Sequence, residues 1–241
     1  MSRETALTEE QVRTYHEQGY VGPLEVVSPS EMAEIRAVID EQRAEGDGYR
    51  DNPYMARHLD CPAVYELCAR SEITDAVESI LGENLLLWST TLFEKEPGGT
   101  DFAWHQDQRY FQLEPPLNVS AWIALTDSTV KNGCMQVIPG SHKEVVPHIE
   151  NPARPVFDKV AHPDHVDEDE AVDIELSPGE CILFNERLLH RSRENTADRR
   201  RFGLSARITK PYCLVGADGP KLVLSGSDPF GYNPTTDPPG Q

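Results

Sequence analysis

Leu85-Leu86-Leu87-Trp88-Ser89-Thr90-Thr91-Leu92-Phe93 is the stretch on which the fold turns. It is a short apolar run closed by the turn residues Glu96-Pro97-Gly98-Gly99, and it reads as a strand. The same texture continues downstream, with strands expected at Ser120 to Leu125, Gln136 to Pro139, Glu180 to Phe184 and Gly203 to Thr209. Turn signals separate them at Lys131-Asn132-Gly133, Pro139-Gly140 and Ser177-Pro178-Gly179. Many short strands without intervening helices predict a mainly β sandwich or barrel, a group that includes the eight-stranded jelly roll.

Upstream of residue 85 the pattern is helical. Thr8 and Gln11 can form a capping box. Ser28-Pro29-Ser30-Glu31 is a stronger start, with Ser28 as N-cap, Pro29 at the first helical position and Glu31 reaching back. Met32, Ile35, Val38 and Ile39 then recur at three- and four-residue spacing, and Gly46-Asp47-Gly48 is expected to end that helix. A third helix is expected from Ser71 to Leu81, stopped by Gly82. Residues 150–173 form a Pro- and Asp-rich insertion expected to loop over one end, and the tail from about Ser225 is expected to be ordered only in part. With no internal repeat, residues 1–241 read as a single domain: a helical part over about 8–82, a β core over about 85–210 and an extended tail over about 225–241.

Composition narrows the function classes. Twenty-two basic against 41 acidic residues give a net charge of −19, which repels a phosphate backbone and argues against nucleic acid as a partner. The longest apolar runs are far too short to cross a bilayer, and MSRETALTEEQ at the start lacks the apolar core of a signal peptide. Five cysteines, an odd number without CxxC spacing, suit reduced thiols, so the expected location is the cytoplasm. Monomer and homodimer both remain open.

The chemistry sits in Trp104-His105-Gln106-Asp107 and Leu189-His190-Arg191-Ser192. A His-x-Asp pair with a distant single histidine is the trace of a 2-His-1-carboxylate site, which leaves one face of an iron(II) ion open to a cosubstrate and dioxygen. Alternation along a strand points His105 and Asp107 to one face and Gln106 away. The spacing alone is weak, because His162-Pro163-Asp164 shares it within a proline-broken acidic stretch that reads as surface loop. His190 by itself reads as a buried core histidine. Ser192 two residues on and Arg201 eleven residues on reverse that reading. A guanidinium offers a bidentate fork to the far carboxylate of 2-oxoglutarate, and a serine hydroxyl adds one hydrogen bond. Gly203 and Ser205 share the face of Arg201 and are small enough to leave room for a ligand. Arg207 shares it too and is open to two readings, a contact to an acidic substrate group or a surface ion pair.

Taken in order, Trp104–Asp107, Ala121-Trp122-Ile123-Ala124-Leu125, Asn132–His142, Leu189–Ser192 and Arg201 give a chain that resembles the phytanoyl-CoA dioxygenase family of iron(II)/2-oxoglutarate oxygenases over roughly residues 8–210. The resemblance implies a double-stranded β-helix, the cupin-like jelly roll, with N-terminal helices packed outside. It implies His105, Asp107 and His190 as iron ligands, and Arg201 with Ser192 holding the 2-oxoglutarate carboxylate. Trp122 would form a wall beside the cosubstrate, Thr90 would add a hydrogen bond, and His142 would pack in a structural turn. Related halogenases have Ala or Gly at the carboxylate position, so Asp107 points to hydroxylation. The cofactors implied are iron(II), 2-oxoglutarate and dioxygen.

The expected activity is hydroxylation of an unactivated C–H bond in a small polar or carboxylated metabolite, of the kind met in secondary metabolism, with succinate and carbon dioxide as coproducts. The same machinery can end in desaturation, cyclisation or epimerisation. A cupin-like zinc or nickel isomerase and a non-catalytic jelly-roll binding protein are the competing readings, and neither accounts for Ser192 and Arg201.

Overall fold

Strict two-residue alternation along Arg201–Thr209 sets the layers of the molecule. Phe202, Leu204, Ala206 and Ile208 point to one side and join the main apolar core, while Arg201, Ser205 and Arg207 point to the other and line a cavity. Both sides are covered, and every residue of the strand is buried.

The computed structural model describes residues 5–45, 52–151 and 158–240. In chain order the helices are α1 (Glu9–Gln18), α2 (Pro29–Glu45), α3 (Pro62–Cys68) and α4 (Ser71–Leu81). The strands are β1 (Tyr20–Glu25), β2 (Leu85–Lys95), β3 (Phe102–His105), β4 (Leu113–Glu114), β5 (Val119–Ala124), β6 (Met135–Val137), β7 (His148–Glu150), β8 (Lys159–Ala161), β9 (Val172–Ile174), β10 (Glu180–Asn185), β11 (His190–Ser192), β12 (Arg201–Thr209), β13 (Leu214–Val215) and β14 (Leu222–Ser225). They build a six-stranded antiparallel sheet in the order β1-β10-β5-β12-β2-β14 and a four-stranded one in the order β3-β11-β6-β9. This is the double-stranded β-helix, with helices on the outer face of the larger sheet.

The two faces of that sheet carry different cores. Val119, Ala121 and Ile123 of β5 and Cys181 and Leu183 of β10 meet Met32 and Ile39 of α2, Val64 and Leu67 of α3 and Ile73 and Val77 of α4. Their alternates Trp122, Ala124, Ile182 and Phe184 face inward with Met135 and Val137 of β6. Each fully buried aliphatic or aromatic side chain contributes ~1.5–3 kcal/mol, so this double burial accounts for the near-continuous apolar character of the central strands.

Local signals agree with the helix starts. Thr8 and Gln11 form the complete capping box, and Gly19 closes α1 at φ 85°, where a Cβ would stand 2.5 Å from Nδ1 of His142. The Ser28 hydroxyl accepts from the Glu31 amide, but the Glu31 carboxylate pairs with Arg70 instead of reaching back. Val38 lies outside the buried stripe of α2 at 42% exposure. The expected stop at Gly46-Asp47-Gly48 lies outside the described residues. β1 carries Gly22-Pro23 within it and was not signalled; it fits because it lies at the sheet edge, where a missing N–H is tolerated.

Among its described residues the insertion at 150–173 contributes β8, which pairs antiparallel with β7, two 3-10 turns and the start of β9. The tail is more ordered than expected. The buried Asn233 receives the Val215 amide and donates to the Cys213 carbonyl, and Lys221 bridges in parallel to Thr235. All five cysteines are buried and free. No helix among the described residues is long and apolar enough to cross a membrane.

Two outcomes follow from this packing. Leu204→Ala removes a side chain fully buried against the helical layer, and urea unfolding should register a loss of about 2–5 kcal/mol. His58 lies behind β2, hydrogen-bonded to the Thr90 hydroxyl at 2.9 Å. Burial, with the nearby Lys221 charge, pushes its pKa down to about 3 from the usual 6.5. The unfolded chain takes up that proton below 6.5 and the native protein does not, so stability falls as pH drops from 6.5 towards 3. Urea midpoints compared between about pH 7 and pH 5 should show a shallower acid loss in His58→Asn than in the parent.

Candidate active site

Antiparallel pairing of β3 with β11 sets His190 directly opposite His105, with their ring centroids 4.1 Å apart. Gln106 keeps an extended backbone at φ −114° and ψ 126°, so Asp107 returns to the face of His105 before the chain turns over Asp107–Arg109. Oδ1 of Asp107 lies 3.5 Å from Nε2 of His105 and 3.8 Å from Nε2 of His190. Among the described residues this is the one group of three His, Cys, Asp or Glu side chains whose ligand atoms converge, all within 4.8 Å and all buried. His162 and Asp164 sit on an exposed 3-10 turn, as their context suggested.

Backbone contacts orient both rings. Nδ1 of His105 is 2.8 Å from the Ala103 carbonyl, and Nδ1 of His190 is 2.9 Å from the Leu188 carbonyl. A carbonyl only accepts, so each Nδ1 carries the proton and each Nε2 presents its lone pair beside Asp107. That tautomer is the one a metal requires. Burial, reinforced by the nearby His105, lowers the His190 pKa to about 4, so the ring is neutral at ordinary pH. Burial alone would raise the Asp107 carboxyl. The facing His105 and His190 rings and the Arg207 guanidinium outweigh it and hold the group well below the usual carboxylate range. A neutral His190 and an ionised Asp107 are the protonation states that suit a divalent cation.

Gln106 points away, as alternation required, and fastens the loops behind the site. It is fully buried, donates to the carbonyls of Glu144 (2.7 Å) and Arg187 (2.5 Å), and accepts from the Val146 amide (3.0 Å). Arg191, between His190 and Ser192, turns outward to stack on Trp104 and pair with Glu168 at 2.8 Å.

Deeper in the jelly roll, Arg201, Ser192 and Trp122 line one chamber of about 60 Å³ with the three candidate ligands. The guanidinium of Arg201 lies 5.2 Å over the Trp122 ring and donates to the Gly133 carbonyl at 2.8 Å. Its Nε and the indole Nε1 of Trp122 are buried donors without hydrogen-bond partners. Two orphaned donors aimed into one chamber fit an acceptor-rich guest such as a carboxylate.

Two expectations need correction here. Thr90 pairs with Ala206, so it faces the helical layer, where its hydroxyl binds His58, and it does not reach the chamber. The β2 residue placed beside Arg201 is Lys95, its cross-strand partner, whose ammonium donates to the Ser192 hydroxyl at 2.9 Å. Alternation from Thr91 and Phe93 would have found it. Gly203 leaves room for Trp122 rather than for a ligand, since a Cβ there would stand 2.6 Å from the indole. Ser205 does line the chamber. His142 packs against α1, its Nε2 3.1 Å from the His16 carbonyl.

Above the ligands the chamber opens into a cleft of about 930 Å³, walled by Trp88, Phe93, Phe102, Tyr110 and Phe111. The hydroxyl of Tyr110 donates to the Lys159 carbonyl and ties the β7–β8 pair to the rim. No contiguous run announces this apolar groove, because its walls come from β2, β3, the turn after Asp107 and β8.

The family profile of phytanoyl-CoA dioxygenase (PhyH) matches residues 15–203. The chain belongs to the phytanoyl-CoA dioxygenase family. A probable phytanoyl-CoA dioxygenase of Caenorhabditis elegans is 27% identical over 184 residues, 72% of this chain and 59% of that protein. The chain spans about half the length of the curated relatives it matches, 41–59% for the first three. Solved structures cover it more fully. Apo ThoJ, a non-heme monooxygenase, superposes with a TM-score of 0.84 at 28% identity, over 95% of this chain and 88% of that one. CytC3 with Fe(II) and alpha-ketoglutarate gives 0.76 at 26% identity, over 97% and 94%.

Gln106→Leu keeps the volume but leaves Val146 N–H and the Glu144 and Arg187 carbonyls unsatisfied. Urea unfolding should show a loss of about 2–4 kcal/mol, since each buried polar group left unpaired costs about 1–3. A loss below about 0.5 kcal/mol would mean that the loops hold without it.

Proposed function

We propose that this chain is an iron(II)- and 2-oxoglutarate-dependent dioxygenase that hydroxylates an unactivated C–H bond of a small-molecule substrate. The observation that carries the reading is the chamber itself. Two imidazole Nε2 atoms and an ionised carboxylate converge at one end, and the orphaned donors of Arg201 and Trp122 stand in the same enclosure. A zinc or nickel isomerase, or a binding protein, gives those donors no task.

His105, Asp107 and His190 hold the metal as three protein ligands and leave its remaining positions open. Bound iron(II), with 2-oxoglutarate and dioxygen, supplies an oxidant strong enough for an unactivated C–H bond, and succinate and carbon dioxide are the coproducts. Arg201 takes the far carboxylate of the cosubstrate in its planar fork. Ser192, already accepting from Lys95, has its own hydroxyl proton to give to that carboxylate. Trp122 walls the chamber, and the aromatic rim excludes water from the reacting centre. Asp107 supports hydroxylation over halide transfer, because it occupies the position a halide would need. Desaturation, cyclisation and epimerisation draw on the same residues and differ only in the fate of the substrate.

Anaerobic addition of iron(II) and 2-oxoglutarate to metal-free protein should give a weak visible charge-transfer band. Arg201→Ala should raise the 2-oxoglutarate concentration needed for that band about tenfold to a hundredfold, the loss of charge-assisted hydrogen bonds worth ~1.5–3 kcal/mol. A band that never forms, or one indifferent to Arg201, would sink the reading. Candidate metabolites that accelerate succinate release then identify the substrate.

A further inference from the structure

Arg207 is a buried cation that makes no ion pair among the described residues: the Asp107 charge acts on it from within the chamber, but no carboxylate hydrogen-bonds it. It stands on the inner face of β12 and lines both the ligand chamber and the wide cleft above it, at 9% exposure. Its Nη1 donates to the Thr91 hydroxyl at 2.8 Å, and its guanidinium lies 5.0 Å from the Phe111 ring centroid. Its Nε is buried without a hydrogen-bond partner. Neither neighbour is a carboxylate. Arg43 on α2 pairs with Glu94, Arg200 with Asp40 and Glu94, and Arg191 with Glu168, whereas Arg207, like Arg201, meets no carboxylate among the described residues. The surface ion pair open to Arg207 from its sequence is therefore not made.

A buried guanidinium without an anion is strongly unfavourable, and such a group persists where a ligand supplies the missing charge. The metal centre does not supply it. Asp107 is committed to the metal, and the charge that 2-oxoglutarate brings is matched by iron and Arg201. What remains is the cleft, whose volume of about 930 Å³ is at the upper end for a drug-sized ligand and far above what an amino acid fills. Its walls are rings: Trp88, Phe93, Phe102, Tyr110 and Phe111, with Met55 half-exposed at the lip.

We propose that Arg207 determines substrate choice, receiving an anionic oxygen group of a mostly apolar, ring-bearing substrate whose rings stack along the aromatic walls of the cleft. The guanidinium already lies over the Phe111 ring with Nε and one terminal nitrogen to offer, the fork a carboxylate or phenolate accepts. Thr91 positions that fork from the neighbouring strand. The inference rests on the oxygenase reading and sharpens it, from a small polar metabolite to an acidic one with fused or linked rings.

The test uses protein loaded anaerobically with iron(II) and saturating 2-oxoglutarate, so that Arg201 is occupied. It is titrated with anthracene-2-carboxylate and with the uncharged primary amide, and binding is read from anthracene fluorescence. The acid should bind about tenfold more tightly than the amide, and Arg207→Met should shrink that gap to about twofold or less. Arg207→Lys, which keeps the charge without the fork, should fall between them and guards against loss of fold in the Met variant. Equal affinity of acid and amide for the parent protein, or a preference that survives Arg207→Met, overturns the proposal. So does failure of either probe to bind at all. Loss of the iron–2-oxoglutarate band in both Arg207 variants would place Arg207 on the cosubstrate and overturn it too. Absence of that band from the parent protein speaks instead against the oxygenase reading, so the two failures are distinguishable.

Discussion

The antiparallel register of β3 against β11 is the constraint from which the rest of the site is built. It places His190 across from His105, and no other alignment of the two strands would bring both Nε2 atoms to Asp107. A one-residue slip would send His190 outward and Arg191 inward, because side chains alternate with period two. The register is held from both sides. β6 pairs with the other edge of β11, matching His190 to Val137, and Gln106 fastens the backs of the strands to the loops at Glu144 and Arg187. The metal-facing geometry is therefore a property of the sheet, and the loops are tied to it rather than shaping it.

Electrostatics then divides the interior. The inner face of β12 carries Arg201 near one end and Arg207 near the other, with Ser205 between them. Two cations on one buried face would be unfavourable in a protein interior without anions to meet them. Asp107 is the one carboxylate among the residues lining the chamber they share. Burial holds His190 neutral, and the groups facing Asp107 keep it ionised against the same burial; these are the states a metal needs. A chain of net charge −19 thus sets two buried guanidinium groups in the lining of its cavity.

The outer layer serves the same end. α2, α3 and α4 bury the outward alternates of β5, β10 and β12, stiffening the strands whose inward alternates form the site. Thr90 belongs to this layer. Its hydroxyl meets His58 behind the sheet, one residue out of phase with the cavity face that includes Thr91 and Phe93.

Local information by itself determined the long strands β2, β5, β10 and β12 and the short β6, the helix starts at Thr8 and Ser28, the shared face of His105 and Asp107, and the candidacy of His190 and Arg201. Each of these follows from short-range geometry: alternation, capping chemistry, or residue types at fixed spacing. The edge strand β1 escaped because its pairing with β10 is made 160 residues away and tolerates an internal proline that local rules read as a break. Thr90 falls on the other face because which alternate set of Leu85–Lys95 meets the cavity depends on the register with Arg201–Thr209; once Thr91 and Phe93 are placed there, alternation adds Lys95. The cleft and the unneutralised state of Arg207 were invisible for the same reason, since the walls and the absence of a carboxylate are assembled from several separate segments. Residue chemistry is local, whereas enclosure and charge balance depend on which segments the fold brings together, and only the tertiary structure decides that.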